Sequence, residues 1–132
     1  EFYRMTGDID YIAKIMARLA PLGVPRILFS KGGLTNLPWL LETGADALSL
    51  DWTCDLADAA ERAPRTPLQG NLDPVVLHGS ETEIVRRAEA VCRSGDRAAS
   101  HVFNLGHGIL TETPPDSLAL LIDTVHRHQP ED

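Results

Sequence analysis

Short apolar runs alternate with segments of helical periodicity, and this alternation constrains the fold more than any other feature of the sequence. Four segments have the composition of strands: residues 27–29, 47–50, 67–70 and 101–105. The first, second and fourth are typical of strands buried on both faces, whereas the third is a weaker candidate. Helical patterns precede the first run and follow each of the four. The resulting order, α-βα-βα-βα-βα, predicts a parallel sheet with right-handed crossover connections.

Helix start and stop residues mark the segments between these runs. The first helix has apolar residues at 12, 15, 16 and 19, and Gly23 supplies its stop. The second is predicted to begin at Pro38, because proline is favoured at a first helical position, and to end before Gly44. Asp55 and Ser80 are predicted to cap the third and fourth helices, and the fifth follows prolines at 114 and 115.

Two architectures are compatible with such a sheet: an open doubly wound sheet and a (β/α)8 barrel. A whole barrel needs about 250 residues, whereas the 132 residues here hold four βα units preceded by a helix. If the sheet belongs to a barrel, about half of that barrel lies outside the sequence. The first residue is Glu1 rather than Met, so we expect residues 1–132 to be one partial domain of a longer chain.

Composition argues against several classes of function. The net charge of −7 argues against a surface for nucleic acid or for anionic membranes. No apolar run approaches the ~18 residues of a membrane span. Two cysteines are too few for a disulfide framework and fit a reducing compartment.

Ligands of parallel α/β folds meet the loops that follow the carboxyl ends of the strands. We call these loops the first corner (30–33), the second corner (51–55), the third corner (70–74) and the fourth corner (106–109). All four are rich in glycine and polar residues. They predict either a polar rim around a pocket or ordinary turns, since both need the same residue types.

Several corner residues are candidates for chemistry. His107, between two glycines, can hydrogen-bond a carboxylate or transfer a proton near neutral pH. Lys31 can contact an anion, although no phosphate-binding motif surrounds it. Asp51 is either an acid/base or, as we favour, a structural acceptor for loop amides, and Asp73 resembles a cap. The remaining histidines are weaker candidates: His78, His101, His126 and His128.

Neither cysteine has the surroundings of a nucleophile. Asp51 and Asp55 lie close to Cys54 in sequence and disfavour its thiolate, and Cys92 falls on the apolar face of a helix. No HxxxH, CxxC or HxC spacing occurs, so the sequence predicts no metal site.

Four segments that contain the corners resemble one known family. They are VPRILFSKGG (24–33), GADALSLDWT (44–53), LQGNLDP (68–74) and HVFNLGHGI (101–109), and TPPD at 113–116 continues the match. In this order and spacing they resemble the C-terminal part of the uroporphyrinogen decarboxylase family, over about residues 20–128. The resemblance implies the C-terminal half of a single (β/α)8 TIM barrel.

The resemblance also implies an activity. The family is a carboxy-lyase of haem biosynthesis that removes carbon dioxide from the four acetate side chains of uroporphyrinogen III, giving coproporphyrinogen III. It uses no metal or organic cofactor and is usually a cytoplasmic homodimer. By this resemblance, His107 binds substrate through a carboxylate. Lys31, Asp51, Gln69 and Asn71 match motif positions without an established role and are expected to shape the barrel mouth.

The family's pyrrole-binding aspartate and its arginines have no counterpart in these 132 residues, so no catalytic residue is assigned. The corner aspartates (Asp51, Asp55 and Asp73) outnumber Lys31 and would repel a polyanionic porphyrinogen. We therefore expect the isolated chain to be inactive and, with exposed sheet edges, to associate. Two alternatives remain: a cobalamin-linked methyltransferase of the same fold, which the missing HxC spacing disfavours, and a non-enzymatic α/β module.

Overall fold

The computed structural model describes residues 2–130, with side chains described from Ile9 onward. This part of the chain folds into one parallel sheet with helices between its strands. The strands are β1 (Ile27–Ser30), β2 (Ala47–Leu50), β3 (Leu68–Leu72) and β4 (His101–Leu105). The α-helices are α1 (Phe2–Leu19), α2 (Gly33–Glu42), α3 (Leu56–Arg62), α4 (Glu81–Gly95) and α5 (Pro115–Arg127). Short 3-10 helices cover Ala20–Leu22 and Pro74–His78.

The strands lie in the order β1-β2-β3-β4, and every neighbouring pair is parallel. Spatial order thus follows chain order, without the reversal that marks a doubly wound sheet. The predicted α-βα-βα-βα-βα order is confirmed, and the architecture is that of a partial (β/α)8 barrel.

The helix caps follow from the local sequence. The Asp55 side chain accepts a hydrogen bond from the backbone of the first turn of α3, and Ser80 does the same for α4. Gly44, just past the end of α2, has a φ of +73°, which favours glycine. The predicted caps and stops of these helices are confirmed.

The second helix begins earlier than predicted, because α2 starts at Gly33 and Pro38 lies inside it. The Leu34 N–H donates to Cys54 Sγ at 3.1 Å, so the first turn of α2 is held against the second corner. Proline has no N–H, so the Leu34 carbonyl receives no helical hydrogen bond from position 38. Tertiary packing here outweighs the preference of proline for a first turn.

The core lies between the helices and one face of the sheet. Leu48, Leu50 and Leu68 pack with α2 and α3, while Leu72 joins a second cluster with residues of α4 and α5. No helix among residues 2–130 is long and apolar enough to pass through a bilayer.

The opposite face of the sheet, which we call the open face, carries Phe29, Ser49, Gln69, Val102 and Asn104. Burial on both faces was the wrong prediction for β1 and β4, since Phe29 is 48% exposed and Val102 is 51% exposed. These strands form the two edges of the sheet, and helices cover only one of their faces. The weak third run is instead an almost wholly buried strand, because β2 and β4 flank it. In a closed barrel the open face lines the interior.

Candidate active site

Asp51 joins the first corner to the second. It follows β2 directly and is 0% exposed. Its carboxylate accepts hydrogen bonds from the Gly32 N–H and from the Thr53 N–H and hydroxyl. The sequence interpretation of Asp51 as a structural acceptor for loop amides therefore agrees with its position.

The hydrogen bonds to Asp51 also favour the ionised form of its carboxyl group. Burial disfavours the ionised carboxylate, but the bonds from Thr53 and from the Gly32 N–H outweigh that effect and hold the pKa of Asp51 below its ordinary value. Asp51 is thus an internal anion whose lone pairs are occupied by the backbone that it positions.

Asn71 joins the third corner to the second. Its side-chain Nδ2 donates to the carbonyl oxygen of Asp51 at 2.8 Å and to that of Cys54 at 2.7 Å. Asn71 is buried, so its side-chain amide makes both bonds in the interior of the corners. An amide is suited to this position because one NH2 group supplies two donors.

The fourth corner lies against the second through a glycine. The Gly106 N–H donates to the Leu72 carbonyl at 2.7 Å. A Cβ atom at position 106 would overlap the backbone of Trp52, so only glycine permits this approach. The other three corners are therefore packed around the second corner, at the carboxyl end of the sheet.

A cavity opens beside these corners on the open face. Its volume is ≈ 310 Å³, and its lining includes Phe29, Ser49, Gln69, Asn104, His107 and Gly108. Gln69 Nε2 donates to Ser49 Oγ at 3.0 Å, so two of the polar side chains orient each other. The lining combines amides, a hydroxyl and an imidazole with one aromatic ring, and it includes no carboxylate. We call it the His107 cavity.

Trp52 brings together two groups that can carry positive charge. The His107 ring meets the Trp52 ring edge-on, with 5.7 Å between centroids and 87° between planes. Lys31 Nζ lies 5.8 Å from the centroid of the Trp52 ring, within the range of a cation–π contact. Sequence reasoning singled out Lys31 and His107 separately and missed the tryptophan, because its partners lie far from it in sequence.

The other corner aspartates lie away from the His107 cavity. Asp55 accepts a hydrogen bond from the Ala57 N–H at 2.7 Å, and Asp73 accepts one from the Val75 N–H at 3.0 Å. Both line a separate cavity of ≈ 320 Å³ beside α4. The predicted role of Asp73 as a cap is confirmed. Asp55 and Asp73 therefore line a different cavity from His107, whereas the Asp51 carboxylate is buried among the corners.

The remaining candidates have structural partners. Burial raises the pKa of both Cys54 and Cys92, and the neighbouring Asp51 charge also raises that of Cys54, so neither is an activated thiol.

Three of the four weaker histidines have polar partners. His78 Nε2 lies 3.3 Å from the Thr113 hydroxyl, and His101 Nε2 lies 2.7 Å from the Gly70 carbonyl. His128 Nε2 lies 2.8 Å from an Asp96 carboxylate oxygen. His128 lies just beyond α5, as its C-terminal cap residue. Among the side chains that the structure describes, from Ile9 to Pro130, no group of three or more His, Cys, Asp or Glu is placed to hold a metal ion.

Comparison with known proteins agrees with this geometry. The sequence profile of a family described as Uroporphyrinogen decarboxylase (URO-D) matches residues 6–128. A Legionella pneumophila (strain Corby) protein named uroporphyrinogen decarboxylase is 47% identical over 109 residues, covering 82% of this chain and 31% of the relative. A Burkholderia mallei (strain SAVP1) protein of the same name is 47% identical over 126 residues, covering 92% of this chain and 35% of the relative.

The chain thus spans about a third of the length of the curated relatives it matches. These relatives do not favour the cobalamin-linked methyltransferase alternative. The profile match covers nearly all of the described residues, including every corner. The chain belongs to the uroporphyrinogen decarboxylase family.

Proposed function

We propose that this chain is part of a cytoplasmic carboxy-lyase that removes carbon dioxide from the four acetate side chains of uroporphyrinogen III, giving coproporphyrinogen III. One observation carries the proposal: four corners are fastened together at the carboxyl end of the sheet, and His107 lines a cavity there on the face that becomes a barrel interior. The names of relatives at 47% identity support the same activity.

Decarboxylation of such a substrate needs an electron sink for the bond that breaks. A proton added to the pyrrole carbon beside the acetate group supplies one, and the electron pair of the C–C bond then neutralises the ring cation as carbon dioxide leaves. The enzyme's task is to hold the carboxylates and stabilise the cation with groups oriented in advance. The sheet described here supplies one wall of such a site.

We assign His107 to substrate binding, with a ring N–H donating to a substrate carboxylate. Its position beside the amides of Gln69 and Asn104 suits this role, because the amide groups add neutral hydrogen-bond donors to the same cavity. Three of the residues matched to family motifs, Lys31, Asp51 and Asn71, fit the expectation that they shape the mouth. Asp51 and Asn71 fix the corners, and Lys31 stands beside Trp52.

We further propose that the complete enzyme is a homodimer without metal or organic cofactor. The isolated 132-residue chain is expected to be inactive and to associate. Phe29 and Val102 expose apolar surface on the open face, and β1 and β4 are unpaired sheet edges.

A chimera tests the activity. This chain would replace the matching segment of the Legionella pneumophila relative, and the porphyrins formed from uroporphyrinogen would be separated by liquid chromatography. We expect coproporphyrinogen as the product of the chimera, and a loss of at least tenfold in kcat/KM for His107→Ala. His126→Ala is the matched control, because His126 is an exposed histidine on α5. An inactive but folded chimera, or equal kinetics for the two variants, would contradict the proposal.

A further inference from the structure

We infer that Lys31 is a second carboxylate-binding group of this site, held beside His107 by the ring of Trp52. The inference rests on the proposed function, since it concerns the binding of a substrate that carries several carboxylates. The three side chains come from the first, second and fourth corners, so they meet only in the folded sheet.

Two contacts position Lys31: one holds its backbone through Gly32, and the other holds its ammonium group at Trp52. The next residue, Gly32, donates its N–H to the buried Asp51 carboxylate, which fixes the backbone of the first corner. The ammonium group lies 5.8 Å from the Trp52 ring centroid, and the attraction between a cation and an aromatic face favours this placement. The backbone of Trp52 is in turn packed against Gly106.

Among the described side chains, Lys31 has no salt-bridge partner. Arg26 pairs with Asp46, and Arg86 pairs with Glu83. Within the part of the chain whose side chains are described, no carboxylate lies within 4.0 Å of the Lys31 ammonium group. A lysine without such a partner, in a corner at the carboxyl end of the sheet, favours an anionic ligand.

Lys31 shares its contact with Trp52 with the other group assigned to carboxylate binding. Both Lys31 Nζ and the His107 ring lie within 6 Å of the Trp52 ring centroid, at 5.8 and 5.7 Å. A ligand with carboxylates on adjacent positions of a ring matches two such groups. Lysine acts as a point charge rather than as an oriented fork, so its role is to bind the ligand and not to transfer a proton.

The test uses the active chimera with Lys31→Met, which removes the charge but keeps an apolar stem, and Lys31→Arg, which keeps the charge. Lys14→Met is the matched control, because Lys14 is the other lysine of the sequence and is exposed on α1. We expect Lys31→Met to raise the KM for uroporphyrinogen about tenfold, which corresponds to ~1.4 kcal/mol, with kcat within twofold. Lys31→Arg should restore most of the loss, and Lys14→Met should match the parent.

Salt supplies a second readout that a merely structural role of Lys31 would not move. The KM of the parent should rise with ionic strength more steeply than that of Lys31→Met, since salt screens the lost interaction. If the parent chimera works and His107→Ala impairs it, while Lys31→Met equals Lys14→Met, this inference alone is wrong. A fall in kcat at unchanged KM would also overturn it. An inactive parent chimera would instead count against the proposed function.

Discussion

Asp51→Asn removes one charge from the centre of the corners and changes almost no volume. The asparagine keeps one side-chain oxygen and turns the other acceptor into a donor. If that oxygen remains with Thr53, the new NH2 group faces the Gly32 N–H, and a buried donor of the first corner loses its acceptor. The substitution therefore separates the first corner from the second while leaving the core intact.

The expected loss of stability follows from the hydrogen bonds. A hydrogen bond to a charged group contributes about 1.5–3 kcal/mol, and an unsatisfied buried donor costs about 1–3 kcal/mol. Asparagine carries no charge, so the variant avoids the cost of burying one, and this offsets part of the lost stability. We therefore expect Asp51→Asn to lower the free energy of unfolding by about 2–3 kcal/mol at pH 7. Urea denaturation of the chimera, followed by circular dichroism, measures it.

Acid should reduce the difference in unfolding free energy between the parent chimera and Asp51→Asn. The pKa of Asp51 in the folded chain lies below its ordinary value of 3.8, so ionisation stabilises the fold fully above that value. This stabilisation is lost as the pH falls from 3.8 through the folded pKa. The gap between parent and Asp51→Asn should therefore be constant from neutral pH to about pH 5 and narrow below pH 4.

Asp55→Asn is the control, because it makes the same chemical change at an exposed cap where asparagine serves as well as aspartate. We expect it to change the unfolding free energy by less than about 0.5 kcal/mol. Equal stabilities of the Asp51→Asn and Asp55→Asn variants at pH 7 would refute the account of Asp51 as the link between corners.

Three further tests concern the packing of the corners. Gly106→Ala should cost about 1–3 kcal/mol of unfolding free energy in urea, because the new Cβ overlaps the second-corner backbone, whereas Gly108→Ala has open space and should be neutral. Asn71→Ala removes two side-chain hydrogen bonds to second-corner carbonyls and should cost about 1–3 kcal/mol by the same assay; a neutral effect would contradict the link. Cys54 and Cys92 should react slowly with a thiol reagent in the native chimera, since burial raises the pKa of both, and fast labelling before unfolding would disagree.

The order of the strands was predictable because each carries its own local signal. Residues 47–50 and 101–105 have the predicted bounds, and the caps at Asp55 and Ser80 act on their own helices. Burial was not predictable in the same way. A four-residue run such as Ile27–Ser30 does not say whether one face or both will be covered, because that depends on which strands lie beside it.

The contacts at the corners depend on the register between neighbouring strands, which cannot be predicted from any one short segment. Pairing of Ser30 with Leu50 brings the loops after β1 and β2 side by side, and only then does Asp51 reach the Gly32 N–H. The meeting of Trp52 with His107 has the same origin, since β3 lies between β2 and β4 and aligns the loops that follow them. Sequence reasoning identified the right loops but not the partners within them.

The central claim is that the corners form one wall of a binding site for a substrate with several carboxylates. A crystal structure of the chimera with coproporphyrinogen, bound under anaerobic conditions, tests it most directly. We expect the ligand to lie against the open face, with a carboxylate oxygen within hydrogen-bonding distance of the His107 ring. A ligand bound instead in the cavity beside α4, with the His107 ring in contact with solvent alone, would contradict it.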